Sequence, residues 1–109
     1  MLVRIPFDIK PFRGQEVFVK GMILAKDVKR PRQHWNGIKL ELRYKSKGRR
    51  FYPSFLKGRT SGSWDWRKIP GTVNIPSDAD QGEFVFGLVD TSGCFETKDL
   101  VLSNDDSGM

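Results

Sequence analysis

In the middle third of this 109-residue chain six aromatic residues lie close to turns: Trp35, Phe51, Tyr52, Phe55, Trp64 and Trp66. Gln33, His34, Asn36, Arg49, Arg50 and Arg59 are interleaved with them, close to turn-forming clusters. Flat aromatic faces stack on the axial C–H face of a pyranose ring, while guanidinium and amide groups bond its equatorial hydroxyls. The same residue set stacks on unpaired nucleobases and holds phosphates. A third use is plain packing, because Trp and Tyr often fill the core of a small β domain. Trp35, in a Pro-rich connection beside Asn-Gly, reads as exposed. Trp66, ahead of Arg-Lys and a strand, reads as core.

Catalytic chemistry has little support. His34 is the single histidine, with no Ser or Cys partner near it in sequence and no HExxH or GxSxG context. Glu41, Glu83 and Glu96 alternate with apolar neighbours, so they read as solvated strand faces rather than as a glycosidase carboxylate pair. A lone Cys94 excludes an internal disulfide and a cysteine metal cluster. It reads as a small buried strand residue.

Charge is distributed unevenly. Residues 77–109 hold eight of the 13 acidic residues but only Lys98 of the 19 basic ones, a net −7, which leaves +13 on the first 76 residues. Much of the excess lies between Lys26 and Arg59, in "KDVKRPRQ" and "RYKSKGRRFYPSFLKGR". Such a stretch can meet nucleic acid, an acidic polysaccharide or a membrane surface, or can simply form a solvated face. No apolar run approaches the roughly 20 residues that span a bilayer, and "MLVRIPFDIK" has no signal-peptide pattern. The chain is therefore expected to be cytoplasmic or a piece of something larger.

The elements that would position these residues are strands. In "GIKLELRY", Ile38, Leu40, Leu42 and Tyr44 share one face and Lys39, Glu41 and Arg43 the other, the pattern of a half-buried antiparallel strand. "EVFVKGMILA" is apolar on both faces and should be central or covered on both sides. "TVNI", "EFVFGLVD" and "CFETKDLVL" are further strands, the last two joined by the Thr-Ser-Gly turn at 91–93. "VRIPFDI" is another, which Pro6 confines to an edge or an early position. No window shows a helical stripe, and the spacing of Gly, Pro and Asp clusters predicts an all-β antiparallel sandwich or barrel. The final "SNDDSGM" reads as a frayed tail, giving one domain over 1–102 and a disordered tail over 103–109.

The order of short motifs resembles the jelly-roll carbohydrate-binding modules joined to bacterial glycoside hydrolases. The likeness runs over residues 6–102. It is carried by Arg13-Gly14, Ala25-Lys26-Asp27-Val28, Trp35-Asn36-Gly37-Ile38-Lys39, Asp65-Trp66, Ile75-Pro76, Gly87-Leu88, Ser92-Gly93 and Asp99-Leu100. Two departures have consequences. Such modules begin with one or two further strands before the Arg-Gly turn, so the sandwich expected here lacks its first strand or strands and leaves an unpaired edge open to a homodimer. The family's paired aspartates near the last strand often help to hold a structural calcium. Here Lys98 stands in place of the first, and an ammonium repels a calcium ion, so Asp99 alone makes that site doubtful.

The resemblance implies a non-catalytic jelly-roll sandwich without a cofactor. It would bind polysaccharide, a plant cell-wall β-glucan or related glycan, through Trp35, Tyr52, Trp64, Arg50 and Gln33. It also implies a secreted or cell-surface setting within a larger glycoside hydrolase, and no membrane partner. The alternatives are a basic single-stranded nucleic-acid-binding β domain and an accessory domain that binds no ligand. The family's Asp-Trp unit looks structural, which makes Trp66 core and Trp64 at least partly exposed. Strand alternation would keep the two tryptophans on one face unless a bulge near Ser63-Trp64 re-aims one of them.

Overall fold

The computed structural model describes residues 2–104. Eight strands follow one another: β1 (Leu2–Pro6), β2 (Glu16–Val28), β3 (Gly37–Ser46), β4 (Arg49–Phe51), β5 (Gly62–Lys68), β6 (Thr72–Asn74), β7 (Asp80–Val89) and β8 (Cys94–Ser103). Among the described residues a single 3-10 turn, Lys10–Phe12, interrupts them. Each expected strand is present, and β1 is an edge strand, as its proline requires. No helix among the described residues is long and apolar enough to cross a membrane.

Two antiparallel sheets face each other, so the expected all-β sandwich is the fold. One sheet runs β1-β7-β3-β4. In the other, β2 is central, paired along most of its length with β8. The opposite edge of β2 is shared between β5 and β6, which pair with its two ends. The core lies where the apolar sides meet. Val17, Val19, Ile23 and Ala25 of β2 oppose Ile38, Leu40 and Leu42 of β3 and Phe84 of β7, and loop residues Ile9, Phe55, Leu56 and Ile75 close the ends. β2 is apolar on its other side too, with Phe18, Met22 and Leu24 half-buried.

Several positions differ from the sequence expectation. Lys39 and Glu41 of β3 are buried rather than solvated. Cys94 is exposed rather than buried, because it opens the edge strand β8 opposite the exposed Lys26. β8 reaches Ser103, the first residue of the expected tail, and residues 105–109 of that tail lie outside the described residues.

The two tryptophans of β5 part company: both are half-buried, but Trp64, expected to be partly exposed, is the one packed on the core, and Trp66, expected to be core, is not. Trp64 pairs with buried Ala25 and packs against the core. Trp66 is half-buried on the outer side, where the ammonium of Lys98 lies 4.3 Å from its ring centroid. The cause is an irregularity in the ladder: Trp64 and Arg67, three residues apart, pair with Ala25 and Ile23, two apart. One extra residue in β5 breaks the alternation between the two indoles.

Candidate functional site

The outer side of β3 becomes a groove because residues 52–60 run beside it as a strap. The strap carries on the line of β4. Leu42 N–H donates to the Pro53 carbonyl (3.2 Å), Phe55 N–H to Leu40 (2.9 Å) and Ile38 N–H to Thr60 (2.8 Å). Phe55, fully buried, pins the strap into the core. At the far end Gly37, at φ +103°, lies so close to Thr60 that a Cβ would stand 2.4 Å from the Thr60 oxygen. Only glycine admits this approach.

The groove is a cavity of about 550 Å³ lined by His34, Trp35, Lys39, Glu41, Arg43 and Tyr52, with Ile38, Ser54, Gly58 and Thr60 completing it. That size falls within the roughly 300–1,000 Å³ of small-ligand sites. Trp35 and Tyr52 remain open, at 57% and 53% exposure. The His34 ring meets Trp35 edge-on at 5.0 Å. The turn before Trp35 is held by Asn36 N–H donating to the Gln33 carbonyl (2.9 Å) and by the Asn36 amide donating to Gln33 Oε1 (3.4 Å).

A ladder of charges joins the two aromatics along the groove floor. Lys39 Nζ donates to the Trp35 carbonyl at 2.6 Å and lies 3.4 Å from Glu41 Oε2. Arg43 Nε donates to Glu41 Oε1 at 2.8 Å, and its guanidinium carbon stands 5.0 Å from the Tyr52 ring centroid. The three charged side chains are 6–16% exposed. Such a ladder, with each member bonded, fixes the orientation of both aromatic walls. Tyr44 lies on the inner side of the sheet, stacked on Phe51 at 5.3 Å, and burial pushes its phenol up from the usual 10.0.

Of the five residues singled out in the sequence, the fold brings two together, Trp35 and Tyr52. Gln33 is exposed in the turn that carries Trp35 and does not line the cavity. Arg50 is exposed on β4 opposite Lys45, on the same sheet face as Arg43 but beyond the lining. Trp64 belongs to the other sheet. Its ring packs on the core with the guanidiniums of Arg59 and Arg67 at 5.4 and 5.8 Å, and its indole Nε1 is buried without a partner among the described residues. Sequence reasoning missed Lys39, Glu41 and Arg43 as site residues. Their signal was present as alternating charge at i, i+2 and i+4, the spacing of one strand face.

The calcium that the family resemblance brings with it does not fit these residues. Asp99 stands at φ 58° where the pairing of β8 with β2 shifts, next to Lys98. Among the described residues no group of three or more His, Cys, Asp or Glu side chains gathers to hold a metal ion.

Compared with protein-family models, curated proteins and solved structures, the chain gives no significant match. The reading of the groove therefore rests on its own geometry.

Proposed function

We propose that the protein is a non-catalytic polysaccharide-binding domain that holds a plant cell-wall β-glucan or related glycan in the β3 groove. One observation carries the reading: two exposed aromatic rings, Trp35 and Tyr52, border one cavity whose floor is a row of hydrogen-bonding side chains. A sugar ring stacks on the rings through its C–H face, and its hydroxyls meet Lys39, Arg43, Ser54 and Thr60. The ladder holds the side chains in place before the ligand arrives, which lowers the ordering cost of binding. On this reading the domain directs an attached glycoside hydrolase to its substrate, outside the cell or at its surface.

Affinity electrophoresis against soluble polysaccharides, with single-stranded DNA as a control, tests the proposal. Retardation by a glycan that Trp35→Ala and Tyr52→Ala remove supports it. Retardation by DNA alone, falling steeply with salt, would replace it with a nucleic-acid reading.

A homodimer would form through the open edges of β1 and β8. Two apolar clefts of about 350 Å³ each lie between these strands, one lined by Ile5, Phe86, Leu100 and Leu102, the other by Val3, Leu88 and Phe95. Sedimentation over a concentration series tests for the second copy.

A further inference from the structure

We infer that the groove selects glycans that bear carboxylates, the uronic-acid polysaccharides; the inference rests on the glycan reading above and turns it from the neutral β-glucans to the related glycans that carry uronic acids. The floor ladder holds two cations, Lys39 and Arg43, against one carboxylate, Glu41. These groups are largely withdrawn from water, so the excess positive charge is weakly screened. A ring stacked at Trp35 or Tyr52 lies directly above it.

The registers extend the excess along the same face. Lys45 is two residues beyond Arg43 on β3 and stands directly opposite Arg50 of β4. Like charges so placed push a strand pair apart, and an anion between them would relieve the repulsion. From the other side, β7 presents Glu83 opposite Arg43 and Asp80 opposite Lys45. Asp80 is shared with Arg13, 3.9 Å away. Four cations thus meet three carboxylates on this stretch of the sheet, one of which is engaged elsewhere. A sugar carboxylate supplies the missing negative charge while the rest of its ring uses the aromatic walls. The ladder cations are committed to Glu41 and to the Trp35 carbonyl, which suits one anionic group per ring rather than a run of phosphates.

The test uses matched polymers that differ in charge alone: polygalacturonate against its methyl ester, and glucuronoxylan against its carboxyl-reduced form. The charged member of each pair should be retained about tenfold more strongly, the effect of one charge-assisted hydrogen bond. Lys39→Met should abolish that preference, and Arg50→Gln should narrow it. Arg50 is exposed, so its variant folds and carries the test if circular dichroism shows Lys39→Met unfolded. Equal retention of charged and neutralised polymers would overturn the inference and leave the glycan reading standing. Retention of no glycan would remove both. A preference untouched by Arg50→Gln, or single-stranded DNA held as tightly as polygalacturonate, would show general polyanion attraction and also overturn the inference.

Discussion

The outer faces of the two sheets are built on opposite plans. On the first, β3 buries charge: Lys39, Glu41 and Arg43 lie alongside a strap, and the aromatics Trp35 and Tyr52 stand open beside them. On the second, β2 half-buries apolar groups, Phe18, Met22 and Leu24, and the flanking Trp66 is capped by Lys98. Both faces own a tryptophan and a lysine, yet the roles are exchanged. In the groove the cations are fixed, Lys39 by Glu41 and the Trp35 carbonyl and Arg43 by Glu41 beside one face of Tyr52, and more than half of each ring stays exposed. On the second sheet an exposed lysine caps a half-buried ring. An aromatic ring becomes a platform when its neighbours hold their own polar groups in place and leave a face uncovered.

The largest effect should come from breaking the ladder. Glu41→Gln leaves the buried Lys39 and the partly buried Arg43 without their shared carboxylate, and removing one member of a buried pair costs roughly 3–5 kcal/mol. That is a large share of the about 5–15 kcal/mol that holds a domain of ordinary stability. Urea melts should show it as a fall in midpoint. A change below about 1 kcal/mol would mean that water reaches the floor and that the plans of the two faces differ less than the burial indicates.

Trp64 and Trp66 come next, because they test which side of the second sheet each occupies. Trp64→Ala should destabilise by about 3 kcal/mol, the scale of a large truncation against a core. Trp64→Phe should cost less, since it removes the unpartnered indole N–H along with part of the ring. Trp66→Ala should move the melt far less than Trp64→Ala. The reverse order would restore the arrangement expected from the sequence and contradict the ladder irregularity between Ala25 and Ile23.

That reversal shows where sequence was legible. Alternation in β3 marked the core side correctly, because Ile38, Leu40 and Leu42 are apolar whichever neighbour covers them, and β2, apolar on both faces, is central as expected. On the outer side of β3 the alternating charges were visible but their burial was not. Charged residues at every second position look solvated, and their burial depends on a strap without periodicity, broken by Pro53 and Gly58. Trp35 and Tyr52 could be picked out as open aromatics near turns, but their meeting in one groove required the hydrogen bonds that lay the strap along β3. The β5 irregularity has no sequence mark of its own, since any residue can be the extra one in a bulge.

In the groove the expected change is in binding rather than folding. Trp35→Ala and Tyr52→Ala remove rings that are more than half exposed, so melts should shift by less than about 0.5 kcal/mol. Retention on the glycan should fall at least about tenfold in each, the scale set by losing roughly 1.4 kcal/mol. Trp66→Ala, made in parallel, should leave retention unchanged. If instead it weakens binding as much as Trp35→Ala, the second face also takes ligand and the contrast between the faces fails.

The smallest effect separates the two lysines. Lys98 is exposed and its ammonium lies 4.3 Å from the Trp66 ring centroid, a cation–π contact worth about 0.5–1 kcal/mol at an open site. A double-mutant cycle with Lys98→Ala and Trp66→Ala isolates that pairwise term from the separate costs of losing each side chain. The coupling should be no more than about 1 kcal/mol and should survive raised salt partly, because attraction to the ring quadrupole acts at short range. Zero coupling would mean that Lys98 leaves the ring in solution, so that Trp66 is an open aromatic like Trp35. What would then distinguish the two faces is the ladder alone: Lys39 keeps its place because Glu41 and the Trp35 carbonyl hold it there, and among the described residues Lys98 has no counterpart to either.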